Sequence, residues 1–243
     1  ETEAPEALDS AAAGEAVEDA SVQSLMAAGS EPLPEGQVSA KRGAVAETAS
    51  YGLKEAWIRS EFAEVRYPVI EGLENLELQE EMNQAIYSAV NGYVVSAIED
   101  GDQVTLDYEI KRMDDEILSV VVTGLQPHEK STYDVMFSVN LDAVTSEEIN
   151  ASTLFMNDEA SKQALTALLK NADNSFTSDF GPWLGIFFEA GNVNFFYLEN
   201  DKAAVYNVVS LPVEAVEPYF KIPSRQAEDP TGKQQASQAE TKP

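Results

Sequence analysis

The 243-residue sequence contains no cysteine and only one histidine. Without cysteine it has neither a disulfide framework nor a thiolate metal site, so its fold must be stabilised by a hydrophobic core. Hydrophobic residues make up 44% of the chain and aromatic residues 9%, which is sufficient for such a core. No run of 18 apolar residues occurs, so we expect no segment of this sequence to cross a membrane.

Basic residues are also scarce. The chain has 15 Lys and Arg against 43 Asp and Glu, a formal net charge of −28. Residues 51–223 alone contain 30 acidic and 10 basic residues, so the excess of negative charge is not confined to the ends. Such a chain repels nucleic acid and anionic lipid and attracts cationic partners. The simpler interpretation is that the acidity confers solubility.

The sequence contains no complete motif for catalysis or for cofactor binding. His128 is the only histidine, it lies in a Pro-flanked loop, and no nucleophile can be assigned to it, so we interpret it as an exposed loop residue. One His without Cys is a poor zinc site. There is no Gly-rich phosphate loop and no G-x-S-x-G elbow. We therefore expect no catalytic residue, no metal site and no cofactor.

Composition divides the chain into three parts. Residues 1–50 are rich in Ala, Glu and Ser and contain no aromatic residue, so we expect a disordered acidic tether. Residues 224–243 are polar, and a disordered tail is expected there as well. Residues 51–223 form the predicted domain, with possible halves 51–124 and 125–223. The first residue is Glu1 rather than Met, which favours a processed or truncated N-terminus.

One long amphipathic helix organises the predicted domain. Apolar residues recur at steps of three and four and define one face: Leu78, Met82, Ile86, Ala89, Val90, Tyr93, Val94, Ala97 and Ile98. Asn75 is the predicted N-cap, and Glu77 places a negative charge in the first turn, where it suits the helix dipole.

Strands surround this helix in the sequence. Apolar and polar residues alternate over 104–111 and 131–141 and nearly alternate over 61–69. The second arm of a hairpin is predicted at 117–123, and further strands at 184–188, 194–198 and 203–209. A second helix is predicted over 159–171. The pattern indicates an α+β fold with a mainly antiparallel sheet, on which one long and one shorter helix pack. In outline, a strand–helix–strands arrangement is used twice.

Short motifs in a fixed order resemble the extracytoplasmic RsiV-like and PdaC-like domains of Firmicutes, the sensor-domain type found in anti-sigma factors. The resemblance covers about residues 53–223. Its motifs are Tyr67-Pro68-x-Ile70-x-Gly72-Leu73, Leu78-Gln79, Met82-Asn83, the strand 133–141, Thr153-Leu154-Phe155, Asn194-Phe195-Phe196-Tyr197, Val205-Tyr206 and 216–223. The sequence departs from the family pattern at Thr123–His128, which lacks a second Gly, and at the turn Asn200-Asp201.

The resemblance implies a binding domain on the outer side of a bacterial membrane. RsiV-like domains bind lysozyme directly, and PdaC-like enzymes carry a separate deacetylase domain, which has no counterpart in this sequence. We therefore expect a non-enzymatic, lipoprotein-like cell-surface or secreted domain that binds lysozyme or another cationic protein. A membrane would be reached only through an anchor outside this sequence. Two alternatives stay open: a carboxylate-dependent hydrolase of cell-wall glycan, and an accessory domain with no binding of its own.

Three short segments are candidate sites. Asp114-Asp115-Glu116 and Glu99-Asp100-Gly101-Asp102 have oxygen ligands suited to Ca²⁺ but lack the spacing of an EF-hand, so charged turns are the simpler interpretation. In Phe180-Gly181-Pro182-Trp183, two aromatic residues flank a Gly-Pro pair. Phe180 and Trp183 are the predicted partner-binding residues, and the alternative is that both rings pack in the core.

Overall fold

The computed structural model describes residues 49–128, 131–189, 191–199 and 205–221. The predicted tail, nearly all of the predicted tether and the Asn200-Asp201 turn lie outside these residues. The described strands are β1 (Gly52–Arg59), β2 (Ala63–Glu71), β3 (Val104–Met113), β4 (Ile117–His128), β5 (Ser131–Asp142), β6 (Gly185–Glu189), β7 (Asn192–Leu198) and β8 (Tyr206–Pro212). The helices are α1 (Leu76–Glu99), α2 (Ala151–Leu154), α3 (Glu159–Ala172) and α4 (Val213–Val216), followed by a 3-10 turn at Glu217–Tyr219.

The strands form two sheets, one of five strands in the order β1-β2-β3-β4-β5 and one of three in the order β6-β7-β8. Neighbouring strands are antiparallel except β2 and β3, which pair in parallel where Ala63–Val65 meets Val104–Leu106. That parallel pair arises because α1 carries the chain across the sheet between the two strands. The predicted α+β class, with mainly antiparallel sheets and one long helix, is confirmed.

Helix α1 packs on one face of the five-stranded sheet. Its buried residues follow each other at steps of four, four, four and three: Met82, Ile86, Val90, Val94 and Ala97. Ala89, predicted on the inward face, is exposed because Val90 occupies the centre of that face. The Asn83 side chain accepts from Ile70 N at 2.7 Å and donates to Ile70 O at 3.0 Å, which joins α1 to β2.

The predicted N-cap of α1 is confirmed, since the Asn75 side chain accepts from the backbone N–H groups of Glu77 and Leu78. Replacing Asn75 with Ala leaves these donors unpaired and should lower the free energy of unfolding by about 1 kcal/mol. Urea denaturation measures the loss. Asn91→Ala, inside the same helix, is the matched control, and an equal loss there would contradict the capping role.

The second half of the domain builds its own core around the three-stranded sheet. Buried side chains on one face of β6–β8 pack with α3 and the segments around it, including Phe155, Leu165, Leu169, Phe176, Phe180, Phe188, Phe195 and Tyr197. Between β5 and α3 the chain forms α2 and a single bridge that pairs Phe155 with Phe220. The other face contributes Phe187 and Phe196, which pack with Val121 of β4.

A buried polar joint connects the two sheets. The Asn140 side chain on β5 donates to Ile186 O at 2.9 Å and to Ile149 O at 3.1 Å, and it accepts from Ser119 Oγ at 2.6 Å. Ser138 Oγ also donates to Ile186 O at 2.6 Å, and Phe188 N donates to Ser119 Oγ at 3.0 Å. Side chains of the large sheet thus satisfy the backbone of β6 and fix its position beside β5.

Candidate binding groove

A groove of about 610 Å³ lies beside the polar joint, where β5 meets one end of the three-stranded sheet. This volume is within the usual range of ligand pockets, about 300–1,000 Å³. Its lining combines apolar and polar groups: Met136, Phe137, Ser138, Asn150, Ser178, Pro182, Trp183, Leu184, Gly185, Ile186, Phe196, Tyr197, Leu198, Glu199 and Tyr206. We refer to it as the Trp183 groove.

The turn from Phe180 to Leu184 forms one wall of the groove. Leu184 N donates to Gly181 O at 3.2 Å, and Phe180 N donates to Thr166 Oγ1 on α3 at 2.8 Å. The indole of Trp183 folds back over Gly181, so closely that a Cβ at position 181 would lie 2.8 Å from the ring. The glycine therefore leaves the space that the indole occupies.

The two predicted partner-binding residues differ in their surroundings. Phe180 is only 8% exposed, with its ring centroid 5.2 Å from that of Phe155 and 6.3 Å from that of Phe195. It packs in the core, as in the alternative interpretation, so it cannot present its ring to a partner. Trp183 is 49% exposed and lines the groove. Of the pair, Trp183 is the residue that a partner can reach.

The indole of Trp183 packs against two other aromatic rings. It stacks parallel to Phe176 with 6.3 Å between ring centroids and meets Tyr197 edge to face at 6.3 Å. Phe176 and Tyr197 belong to the core of the second half. Trp183 is thus the exposed member of an aromatic cluster whose other rings belong to the core. A side chain that is already held in place loses little conformational entropy when a partner binds.

Two tyrosines, Tyr197 and Tyr206, are among the residues that line the groove. Burial raises the pKa of Tyr206, and the nearby Asp134 carboxylate raises it further, although a hydrogen bond from the backbone of Met136 acts in the opposite direction. Burial also raises the pKa of Tyr197, whose hydroxyl donates to Asp173 Oδ2 at 3.1 Å. Both phenols are therefore neutral hydrogen-bonding groups at physiological pH.

Carboxylates border the groove. Glu199 lines it, and the Asp134 carboxylate raises the pKa of the lining residue Tyr206. Asp173 accepts a hydrogen bond from the Tyr197 hydroxyl, and Glu148 accepts one from the Asn150 side chain at 3.2 Å. No Lys or Arg lines the groove in the part of the chain that the structure describes. Two lysines of other elements have partners of their own. Lys170 forms an ion pair with Asp179 at 3.3 Å, and Lys221 donates a hydrogen bond to Ser152 O. The border of the groove is accordingly acidic.

The predicted acidic turns are closed by their own hydrogen bonds. Asp114 Oδ1 accepts from the backbone N–H groups of Glu116 and Ile117, and Arg112 Nε donates to Asp114 Oδ2 at 2.6 Å. Burial alone would raise the pKa of Asp114, but these hydrogen bonds bring it below its ordinary value. Glu99-Asp100-Gly101-Asp102 ends α1 in a turn. Within the described part of the chain, no group of three or more potential metal ligands comes together.

Only the turn that carries Trp183 was predicted as part of a site, because the other members of the groove come from distant parts of the chain. Met136 and Tyr206, for example, meet through the packing of two sheets.

His128 ends β4, where its backbone pairs with Ser131, and its side chain falls outside the described part. No helix among the described residues is both long and apolar enough to cross a membrane.

Comparison with known proteins identifies the fold. No family model matches the sequence, and no curated protein matches it. The structure is similar to that of a DUF3298 family member from Bacteroides fragilis, with a TM-score of 0.56 and 11% identity over 75% of this chain and 98% of that one. A DUF3298 family protein from Pseudomonas aeruginosa has a TM-score of 0.44 and 10% identity, over 70% and 93% of the two chains.

At 11% identity, the similarity to the Bacteroides fragilis protein shows the fold alone. Of the resemblance stated from the sequence, the comparison therefore supports the fold, which is shared with a DUF3298 family protein.

Proposed function

We propose that this protein is a non-enzymatic, extracytoplasmic binding domain that holds a cationic protein, with lysozyme as the candidate. The observation that carries the proposal is the Trp183 groove, which combines a half-exposed, rigidly supported indole with an acidic border and, among the described residues, no Lys or Arg in its lining. Tryptophan in such a setting is typical of residues that dominate binding energy at protein interfaces.

The charge of the domain supports the same kind of partner. With 30 acidic and 10 basic residues in 51–223, it should attract a basic protein over a distance of about a Debye length and speed their encounter. Charge alone gives rate and orientation more than affinity. The groove supplies the apolar contact area that charge attraction lacks.

The location is proposed from the sequence resemblance to RsiV-like and PdaC-like domains of Firmicutes. We place the domain on the outer side of a bacterial membrane, either anchored there or secreted. The absence of cysteine is compatible with this, because the two cores are large enough to stabilise the fold without disulfides.

A carboxylate-dependent glycan hydrolase is the alternative that the geometry favours less. Such an enzyme needs a carboxyl group with a raised pKa to act as general acid. Backbone and hydroxyl hydrogen bonds from Ser175 lower the pKa of Asp173 beside the groove, and hydrogen bonds from Ser161 lower that of Asp158 at the start of α3. These hydrogen bonds hold both carboxylates as structural anions.

Titration calorimetry of the full chain with lysozyme, at low and at physiological salt, tests the proposal. We expect saturable one-to-one binding that weakens with salt but persists at physiological salt. Binding only at low salt would reduce the interaction to general charge attraction. No heat at either salt would overturn the proposal, and release of sugar from cell-wall glycan by the isolated protein would replace it with the hydrolase.

Replacing Trp183 with Ala should weaken lysozyme binding about ten-fold, because truncating a central aromatic contact typically costs more than 1 kcal/mol. Leu76→Ala is the matched control, since Leu76 is 71% exposed at the start of α1 and belongs to another surface. Thermal unfolding checks that both variants fold. Equal affinities for the two variants would place the interface elsewhere.

A further inference from the structure

The other tryptophan of the chain shows what a complete cation site looks like in this protein. Trp57 on β1 has the guanidinium carbon of Arg59 3.8 Å from its ring centroid and that of Arg66 at 5.5 Å. Arg66 also pairs with Asp107 and lies 3.7 Å from Glu55. The Trp57 site thus joins three components: an indole face, the Arg59 guanidinium close to it, and carboxylates that pair with the second guanidinium, that of Arg66.

Trp183 has two of these three components. Its indole is half exposed, and Glu199 lines the same groove directly after the last residue of β7. Asp134 adds a second carboxylate near Tyr206. The third component, a cation, is not supplied by the described residues, since none of the Lys and Arg among them lines the groove.

We propose that the Trp183 groove receives an arginine side chain of the partner, with its guanidinium stacked on the indole of Trp183 and hydrogen-bonded to the Glu199 carboxylate. The proposal rests on the proposed function and adds the chemistry of the contact. The aliphatic stem of the arginine would lie along the apolar lining from Met136 and Phe196, both of which belong to the cluster between the sheets.

Arginine suits this groove better than lysine. A guanidinium is planar, stacks on an aromatic face and donates to a carboxylate in a fork of parallel hydrogen bonds. An ammonium group is a compact, strongly hydrated charge that gains less from an indole face. The groove should therefore discriminate between two side chains of the same charge, which general attraction to an acidic protein does not do.

Three synthetic peptides test the proposal by calorimetry with the full chain: hexa-arginine, hexa-lysine and hexa-citrulline, the last being the uncharged counterpart of arginine. We expect hexa-arginine to bind about three-fold more tightly than hexa-lysine and more than ten-fold more tightly than hexa-citrulline. Equal affinities for hexa-arginine and hexa-lysine would overturn the stacking contact.

Charge-matched variants localise the site. Glu199→Gln should weaken hexa-arginine binding about four-fold, whereas Glu80→Gln, which removes the same charge from the exposed face of α1, should change it less than two-fold. Equal effects of the two variants would overturn the assignment to the groove. A chitin oligosaccharide that competes with hexa-arginine only when Trp183 is present would also overturn it, in favour of a glycan site.

The failure of this inference can be separated from that of the proposed function. Lysozyme binding that Glu199→Gln leaves unchanged would retain the function and remove the arginine contact. Hexa-arginine binding that depends on Glu199, without any lysozyme binding, would support the arginine site and exclude lysozyme as its source. Absence of both would remove both proposals.

Discussion

Replacing Asn140 with Asp should destabilise the protein by about 3 kcal/mol at neutral pH, although the two side chains have nearly the same shape. Asn140 is 2% exposed at the joint between the two sheets. Its amide nitrogen donates to the carbonyl oxygens of Ile186 and Ile149, and an ionised Asp has no donor for either of them. A buried carboxylate would then face two carbonyl oxygens, which is strongly unfavourable.

The destabilisation should depend on pH in a defined direction. An Asp at position 140 can donate to one carbonyl only when it is protonated, so its pKa in the folded protein should lie above the unfolded value of about 3.9. Because the folded state then binds the proton more tightly, the penalty is smallest below about pH 4. It grows as the pH rises and becomes constant above the folded pKa.

Thermal and urea unfolding measure the effect, and a loss of about 3 kcal/mol corresponds to a shift in Tm of about 10 °C for a domain of this size. Asn174→Asp is the matched control, because Asn174 is exposed and the substitution adds the same charge. We expect that control to stay within about 0.5 kcal/mol of the native protein. If Asn140→Asp lowered the free energy of unfolding no more than this control does, the joint would not hold the sheets together.

The same joint shows where interpretation of the sequence stops. Alternation in β5 correctly places Val135 and Val139 toward α1, with Met136, Ser138 and Asn140 on the opposite face. Period-two alternation cannot tell a polar face in water from one covered by a strand edge. Ser138 and Asn140 are covered by β6, and that contact depends on residues almost fifty positions away.

The long helix could be predicted because its signals are local. The cap at Asn75 and the buried residues at Met82, Ile86 and Val90 all come from within one helical segment. The exact face was less certain, since a stripe that includes both Ala89 and Val90 is wider than the face that the sheet covers, and Ala89 is exposed. Tertiary packing selects among adjacent apolar positions, which periodicity alone cannot do.

The Trp183 groove could be predicted only in part. The segment from Phe180 to Trp183 stands out as two aromatic residues around Gly-Pro, but the local sequence does not decide which ring is buried. The ring of Phe180 packs in the core against Phe155 and Phe195, whereas the indole of Trp183 lies over Gly181 and is half exposed. The opposite wall comes from β5, which no motif connects to this turn.

Alanine should have opposite effects at two glycines, with Gly124→Ala losing about 3 kcal/mol of stability and Gly92→Ala gaining about 0.8 kcal/mol. Gly124 lies on β4 opposite Leu106 of β3. A Cβ at Gly124 would lie 1.9 Å from Thr105 O and 2.9 Å from Leu106 Cα. Both are backbone atoms, so the clash can be relieved only if β3 and β4 move apart, which weakens their hydrogen bonds.

Gly92 is the matched control because it tests the same substitution where space is open. It lies inside α1, and nothing comes within 4 Å of a Cβ placed there. Alanine at such a position restricts the unfolded chain and favours the helix, so stability should rise. Urea unfolding of both variants gives the two signs directly, and a stable Gly124→Ala protein would show that β3 and β4 do not approach as closely as the structure has them.

The substitution at Gly124 should also reach the groove, which makes it informative about function. Gly124 pairs with Val135 on β5, directly before Met136, and Met136 lines the groove. If β4 shifts to accommodate the new methyl group, β5 must shift with it or lose hydrogen bonds. Folded Gly124→Ala protein should therefore bind lysozyme more weakly than Gly92→Ala protein. Equal binding would mean that the strain is absorbed entirely on the β3 side of β4.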